Sequence, residues 1–106
     1  MAILKSVIFL GDSLARLRDF PDDARQNIGR ELARVQEGRE PLDWKPMPTV
    51  GKGVREIRVS ERAGEFRTLY VAQIAGAIYV LHAFQKKSQK TLARDNNLAA
   101  ARFKQI

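Results

Sequence analysis

Three strand-like runs in succession, joined by connections of only a few residues, constrain this chain more than any other feature. Residues 54–60, 65–74 and 77–84 are rich in β-branched and aromatic side chains, and turns at 61–64 and 75–76 separate them. Links this short cannot carry a crossover, so consecutive strands must run antiparallel as a meander. The third run is apolar at both parities, with Ile78, Val80 and Phe84 interleaved with Tyr79 and Leu81. It is therefore expected inside the sheet with both faces covered.

The remaining elements are expected to pack on that meander. Residues 5–10 read as a first strand. Gly11-Asp12-Ser13 makes a turn, where Asp12 or Ser13 can cap a short helix over 14–19. Pro21 fits the first position of a second helix, with Asp22 and Asp23 complementing its dipole. Ala24, Ile28, Leu32 and Val35 recur at helical spacing, and Gly38 is a natural stop. Pro41, Pro46 and Pro48 mark 39–50 as a loop pinned by Trp44. Thr91 or Asp95 can cap a last helix running to about Lys104, with Leu98, Arg102 and Phe103 at helical spacings. The expected fold is α+β: an antiparallel sheet of about four strands, two N-terminal helices packed on it and a C-terminal helix. At 106 residues, one domain spans 1–106.

Composition removes several kinds of chemistry. There is no cysteine and a single histidine, His82, so thiolate sites, cysteine nucleophiles and histidine-rich metal centres are excluded. No apolar run approaches 18 residues, and 7–10 is too short for a secretory core. A cytoplasmic protein with no membrane association is expected. The net charge of +7 is unevenly spread: residues 1–51 are neutral, while residues 52–106 hold eleven basic and four acidic side chains. A basic half beside a neutral one suggests a face that meets a polyanion, most often nucleic acid.

The cations fall on the strands and their exits. Arg58 and Arg67 lie on consecutive strands flanking a short turn, within cross-strand reach of each other. A guanidinium grips a phosphate through two parallel hydrogen bonds; the plainer reading of each is a surface charge, solvated or paired with Glu56. Glu56, two residues before Arg58, can pair with it and orient it. Lys86, Lys87 and Lys90 follow the third strand as point charges suited to tracking phosphates. Arg55, Lys52 and Gln85 are further candidate nucleic-acid contacts. Tyr70, three residues after Arg67, points to the opposite face of an ideal strand. His82 sits among apolar residues and reads either as a satisfied core histidine or as a proton-transfer group. RNA scission by the 2′-hydroxyl needs no metal; it needs that oxygen deprotonated, the five-coordinate phosphorus stabilised and the leaving oxygen protonated. Arginines and lysines can supply the middle step. Tyr70, His82, Glu56 or a lysine can supply the ends. The chain has no Walker loop, nucleophile elbow or carboxylate cluster suited to Mg²⁺.

Taken together, Gly53-Val54-Arg55-Glu56-Ile57-Arg58, then Phe66-Arg67-Thr68-Leu69-Tyr70, then Leu81-His82-Ala83-Phe84-Gln85-Lys86-Lys87-Ser88-Gln89-Lys90-Thr91 resemble the phage-derived, HigB-like branch of the RelE toxin superfamily. The order of elements agrees over nearly the whole chain, including the helix start at Pro21. The resemblance implies a RelE-like fold and an mRNA interferase: a metal-independent endoribonuclease toxin that enters the ribosomal A site, cleaves translated mRNA and inhibits translation without a cofactor. It also implies a type II toxin–antitoxin pair with a cognate helix-turn-helix antitoxin. By the same resemblance Arg67 matches the central strand arginine that stabilises the transition state. Arg58 matches a basic position on the preceding strand, and Lys86 or Lys87 the basic residue at the last strand's exit. The chain departs from the RelE branch at Glu56, where that branch has a lysine, and Tyr79 is its last tyrosine. Two other readings of the same residues are a non-catalytic RNA- or ribosome-binding module and a phage structural or adaptor protein.

Overall fold

The computed structural model describes residues 4–74, 76–87 and 93–106. The element order is β1 (Ser6–Phe9), α1 (Ser13–Arg18), α2 (Asp22–Gln36), β2 (Trp44–Pro46), β3 (Val54–Glu61), β4 (Gly64–Ile74), β5 (Ala77–Lys86) and α3 (Ala93–Phe103). The strands form one sheet in the order β1-β5-β4-β3-β2. β3, β4 and β5 make the expected antiparallel meander.

Two features differ from the sequence reading. β1 pairs parallel to β5, Ser6 opposite Ala77 through Phe9 opposite Val80. Residues 10–76 lie between these two strands, ample for the crossover that parallel pairing requires. The stretch expected as loop over 39–50 contains β2, antiparallel to β3 at the sheet edge. Three residues ending in Pro46 carry almost no strand signal, and a proline without an N–H is tolerated at an edge.

The helices divide between the two faces. α2 buries Ala24, Ile28, Leu32 and Val35 against Ile57, Val59, Phe66, Tyr70, Ile78 and Val80. Each fully buried aliphatic side chain here, Ile28 among them, contributes about 1.5–3 kcal/mol. The helix starts one residue later than expected, with Pro21 as its N-cap. It ends at Gly38, whose φ of 81° suits glycine. Gly38 N donates to Val35 O and Arg39 N to Arg34 O, the paired bonds of a Schellman stop. α3 covers one end of the other face, with Ala99 and Phe103 against Val54, Leu69, Val71 and Leu81. β5 is thus an interior strand covered on both sides.

What fixes α3 to the sheet is an irregularity in β5. Leu69 lies opposite His82 but Tyr70 opposite Val80, which leaves Leu81 as an extra residue. Such a bulge frees backbone groups from the ladder. Arg102 of α3 answers it: Nη1 donates to Leu81 O at 2.9 Å, and Nη2 donates to Asp12 Oδ1 at 2.6 Å. Arg16 Nε donates to the other oxygen of Asp12 at 2.8 Å. Neither expected cap of α1 forms a cap bond. The Asp12 carboxylate ties α1 to α3 instead, and the Ser13 hydroxyl donates to Val80 O. Asp95, expected as a possible cap of α3, lies inside that helix and meets His82; Thr91 falls outside the described residues.

Two outcomes follow from this anchor. Gly11 has a φ of +55°, and a Cβ there would stand 2.4 Å from Arg102 Nε. The Arg102 guanidinium is held at both ends and cannot swing clear. Gly11→Ala is therefore expected to destabilise the fold by about 1–3 kcal/mol, as overpacking does; an unchanged urea midpoint would refute the anchor. The second concerns acid. Hydrogen bonds from Arg16 and Arg102 lower the Asp12 carboxyl from 3.8 to about 2. A depressed folded-state value means that Asp12 stabilises fully above about pH 4, and that this share fades as pH falls through about 2. Asp12→Asn is expected to lower the urea midpoint at neutral pH and to converge with the unsubstituted chain near pH 2. A constant difference across that window would show that the charge is not responsible.

Candidate functional site

Among the described residues α3 packs on one end of its face of the sheet, and the register of β3 on β4 decides what stands at the other. Arg58 pairs directly with Arg67, and Glu56 with Leu69. Directly opposed residues share a face with Cβ atoms about 5 Å apart. Like charges so placed repel unless something neutralises them. Glu56 does so: its Oε1 lies 3.8 Å from Arg58 Nε and 3.6 Å from Arg67 Nε. Arg67 Nη2 lies 3.8 Å from Glu65 Oε1, and its Nη1 donates to Phe66 O at 3.1 Å. Glu56 and Arg67 are both 4% exposed, whereas the Arg58 side chain is 37% exposed. The second oxygen of Glu56, Oε2, is buried and has no hydrogen-bond partner among the described residues.

Lys86 completes the cluster. It pairs with Glu65, two residues along β5 from Phe84, which pairs with Arg67. Lys86 therefore lies on the same face as Arg58, Arg67 and Glu56. Lys87 is exposed just beyond the strand, and Lys90 lies outside the described residues. Two arginines against two glutamates balance in charge, so the surplus positive potential comes from the lysines around them. Every arginine–glutamate distance here exceeds the roughly 2.7–2.9 Å of a well-formed charge-assisted bond. An incoming anion can thus make better contacts than the ones it displaces.

Other candidates stand elsewhere. Tyr70 points to the helix-covered face, 1% exposed and opposite Arg55, so it and Arg67 do not share a wall. Burial pushes its hydroxyl up from 10, against a hydrogen bond from Arg55. Arg55 lies on that same face, 3.9 Å above the Trp44 ring and 3.5 Å from Glu40 Oε1. Lys5, Arg39, Glu40, Arg55 and Tyr70 line a cavity of about 210 Å³, away from the cluster. Gln85 also belongs to the helix-covered face, opposite Phe66, and its amide donates to Ala63 O. Lys52 is exposed in the turn before β3.

His82 shares the face of Glu56 but sits under α3, fully buried. Its Nε2 donates to Asp95 Oδ1 at 2.8 Å, and its ring stacks on Phe84 with centroids 5.3 Å apart. Burial lowers its pKa, and the Asp95 hydrogen bond opposes that shift. The arrangement is that of a core histidine holding α3 down. A cavity of about 370 Å³ opens beside it, lined by Arg16, Arg94, Asp95 and Leu98.

One neighbour of the cluster was not legible in the sequence. Lys45 of β2 pairs with Glu56 and is exposed on the same face. Its only signal was the flanking Trp44 and Pro46, and three residues are too few to establish an alternation.

Known proteins resemble this chain in fold and in family. No curated protein matches the chain. A solved structure of the Escherichia coli toxin RelE, a double arginine mutant in the free state, superposes with a TM-score of 0.66 over 97% of this chain and 98% of that one, at 14% identity. That likeness is one of fold. The family described as "Phage derived protein Gp49-like (DUF891)" matches residues 15–104. The chain belongs to this phage-derived Gp49-like family, a RelE/HigB-like family of toxins.

Proposed function

We propose that this chain is a metal-independent endoribonuclease, the toxin of a type II toxin–antitoxin pair, which cleaves mRNA at the ribosome and so inhibits translation. The observation that carries the reading is Arg58 opposite Arg67 about one shared carboxylate, with Lys86 beside them. Such a group suits a phosphodiester. The phosphate meets the half-buried Arg58 and Lys86 first. It then draws Arg67 away from contacts 3.6 and 3.8 Å long. Glu56, relieved of its arginines, accepts the 2′-hydroxyl proton on its unpartnered Oε2. The 2′-oxygen bonds to phosphorus and the bond to the 5′-oxygen breaks. Arg58 and Arg67 hold the charge that builds on the equatorial oxygens. Lys86 returns a proton to the leaving oxygen, giving a 2′,3′-cyclic phosphate and a 5′-hydroxyl. A helix-turn-helix antitoxin and the ribosomal A site are the partners this reading expects. A cytoplasmic setting fits it, and no helix among the described residues is long and apolar enough to cross a membrane.

The near-complete burial of Arg67 and Glu56 favours a second reading, an RNA-binding module that does not cut. Mapping mRNA 5′ ends in a translating extract, with and without ribosomes, separates the two. Arg67→Ala is a poor probe alone, because it leaves Glu56 buried without its closest arginine, which costs about 3–5 kcal/mol when one partner of a buried pair is removed. Arg58→Gln is the cleaner variant, since Arg58 is half-exposed. It is expected to keep the fold, to relieve growth arrest on induction and to lower the cleavage rate about a hundredfold, as losing one transition-state donor does. Cleavage at an unaltered rate in Arg58→Gln would remove the assignment. RNA binding without new 5′ ends in the unsubstituted chain would establish the non-catalytic reading.

A further inference from the structure

Lys45, Arg58, Arg67 and Lys86 come one from each of four neighbouring strands, and the register aligns them obliquely. Lys45 is level with Glu56, and Arg58 lies two residues further along β3. Arg67 is level with Arg58. Lys86 lies two residues beyond Phe84, the partner of Arg67. β3 and β5 run the same way, so both two-residue steps advance in one direction. The four cations thus form a diagonal rather than a ring. With strands about 4.8 Å apart and about 3.4 Å per residue, it covers three strand spacings across and four residues along, roughly 20 Å. One phosphate cannot touch both ends of such a line; a single-stranded backbone carrying several can.

We infer that the chain binds single-stranded RNA along this diagonal, with Lys45 as an outlying phosphate contact that holds the strand away from the scissile bond. The inference rests on the RNA-cleaving reading and deepens it. Arg58 and Arg67 lie mid-track and take the phosphate that reacts, and Lys45 and Lys86 take flanking ones. Lys45 is then a binding residue that acts on affinity for long RNA and leaves the chemical step alone. A lysine at a sheet edge also deters strand addition. That duty alone would make its loss promote self-association without touching RNA affinity.

The test compares the unsubstituted chain with Lys45→Gln, using RNA blocked by 2′-O-methyl groups, as a dinucleotide and as a dodecamer, over a range of salt. Each phosphate contact to a single strand contributes about 0.7 to the slope of log affinity against log salt. Lys45→Gln is expected to lower the dodecamer slope by about 0.7, to leave dinucleotide binding unchanged and, with unblocked long RNA as substrate, to raise KM with kcat intact. Arg30→Gln, an exposed position on α2, should leave the slope unchanged. An unaltered dodecamer slope in Lys45→Gln overturns the track while the RNA reading stands. Equal losses on both oligonucleotides also overturn it, because Lys45 would then act at the scissile phosphate. An unsubstituted chain that binds neither RNA overturns the reading and the track together.

Discussion

Two arginines facing each other across an antiparallel pair are held in place by one carboxylate, and the candidate site depends on that arrangement. Without Glu56, Arg58 and Arg67 would repel at cross-strand distance. With it, and with Glu65 on the far side of Arg67, the charges balance through contacts of 3.6 and 3.8 Å that are long enough to give way to a better anion. The cluster is therefore charge-satisfied as it stands. A buried carboxylate with one unpartnered oxygen is costly to keep in a core. The reaction proposed above gives that oxygen a use, as the acceptor of the 2′-hydroxyl proton.

The rest of the fold positions this pair. α2 packs over β3 and β4 and α1 over β5 on one face of the sheet, which backs the strands where Arg58 and Arg67 stand. Among the described residues α3 packs on one end of the other face, away from the cluster. Its position is set by Arg102, which reads the carbonyl freed at the Leu81 bulge and the Asp12 carboxylate of the β1–α1 turn. His82 and Asp95 add a second tie nearer the cluster, and Phe84 links that tie to Arg67 through stacking and strand pairing. α3 and the cluster are thus joined by a chain of adjacent side chains.

Much of this was readable from residue order, for identifiable reasons. The short links between 54 and 84 admit only a meander. Once β3 and β4 pair about a tight turn, Arg58 and Arg67 must meet. Helical spacing identified the buried face of α2, and Gly38 its end. Other features left no trace in one dimension. The parallel seat of β1 depends on a contact seventy residues distant in the chain. β2 is three residues long and ends in proline, so Lys45 was read as loop. The bulge at Leu81 sits inside an unbroken apolar run. Asp12 and Asp95 looked like helix caps because local logic cannot show that Arg102 and His82 wait for them. Tyr70 was placed on the wall opposite Arg67 by simple alternation, and there the pleat gave the same result as the structure.

The account turns on a ribonucleotide 2′-oxygen attacking a phosphate held by Arg58 and Arg67. The most direct measurement replaces the ribose at one mapped cleavage position with 2′-deoxyribose and follows cutting at that bond in a translating extract. Cleavage should cease at that bond alone, and the unmodified message should end in a 2′,3′-cyclic phosphate with a 5′-hydroxyl on the downstream fragment. Cutting that survives the deoxy substitution, or a downstream 5′-phosphate, would contradict it.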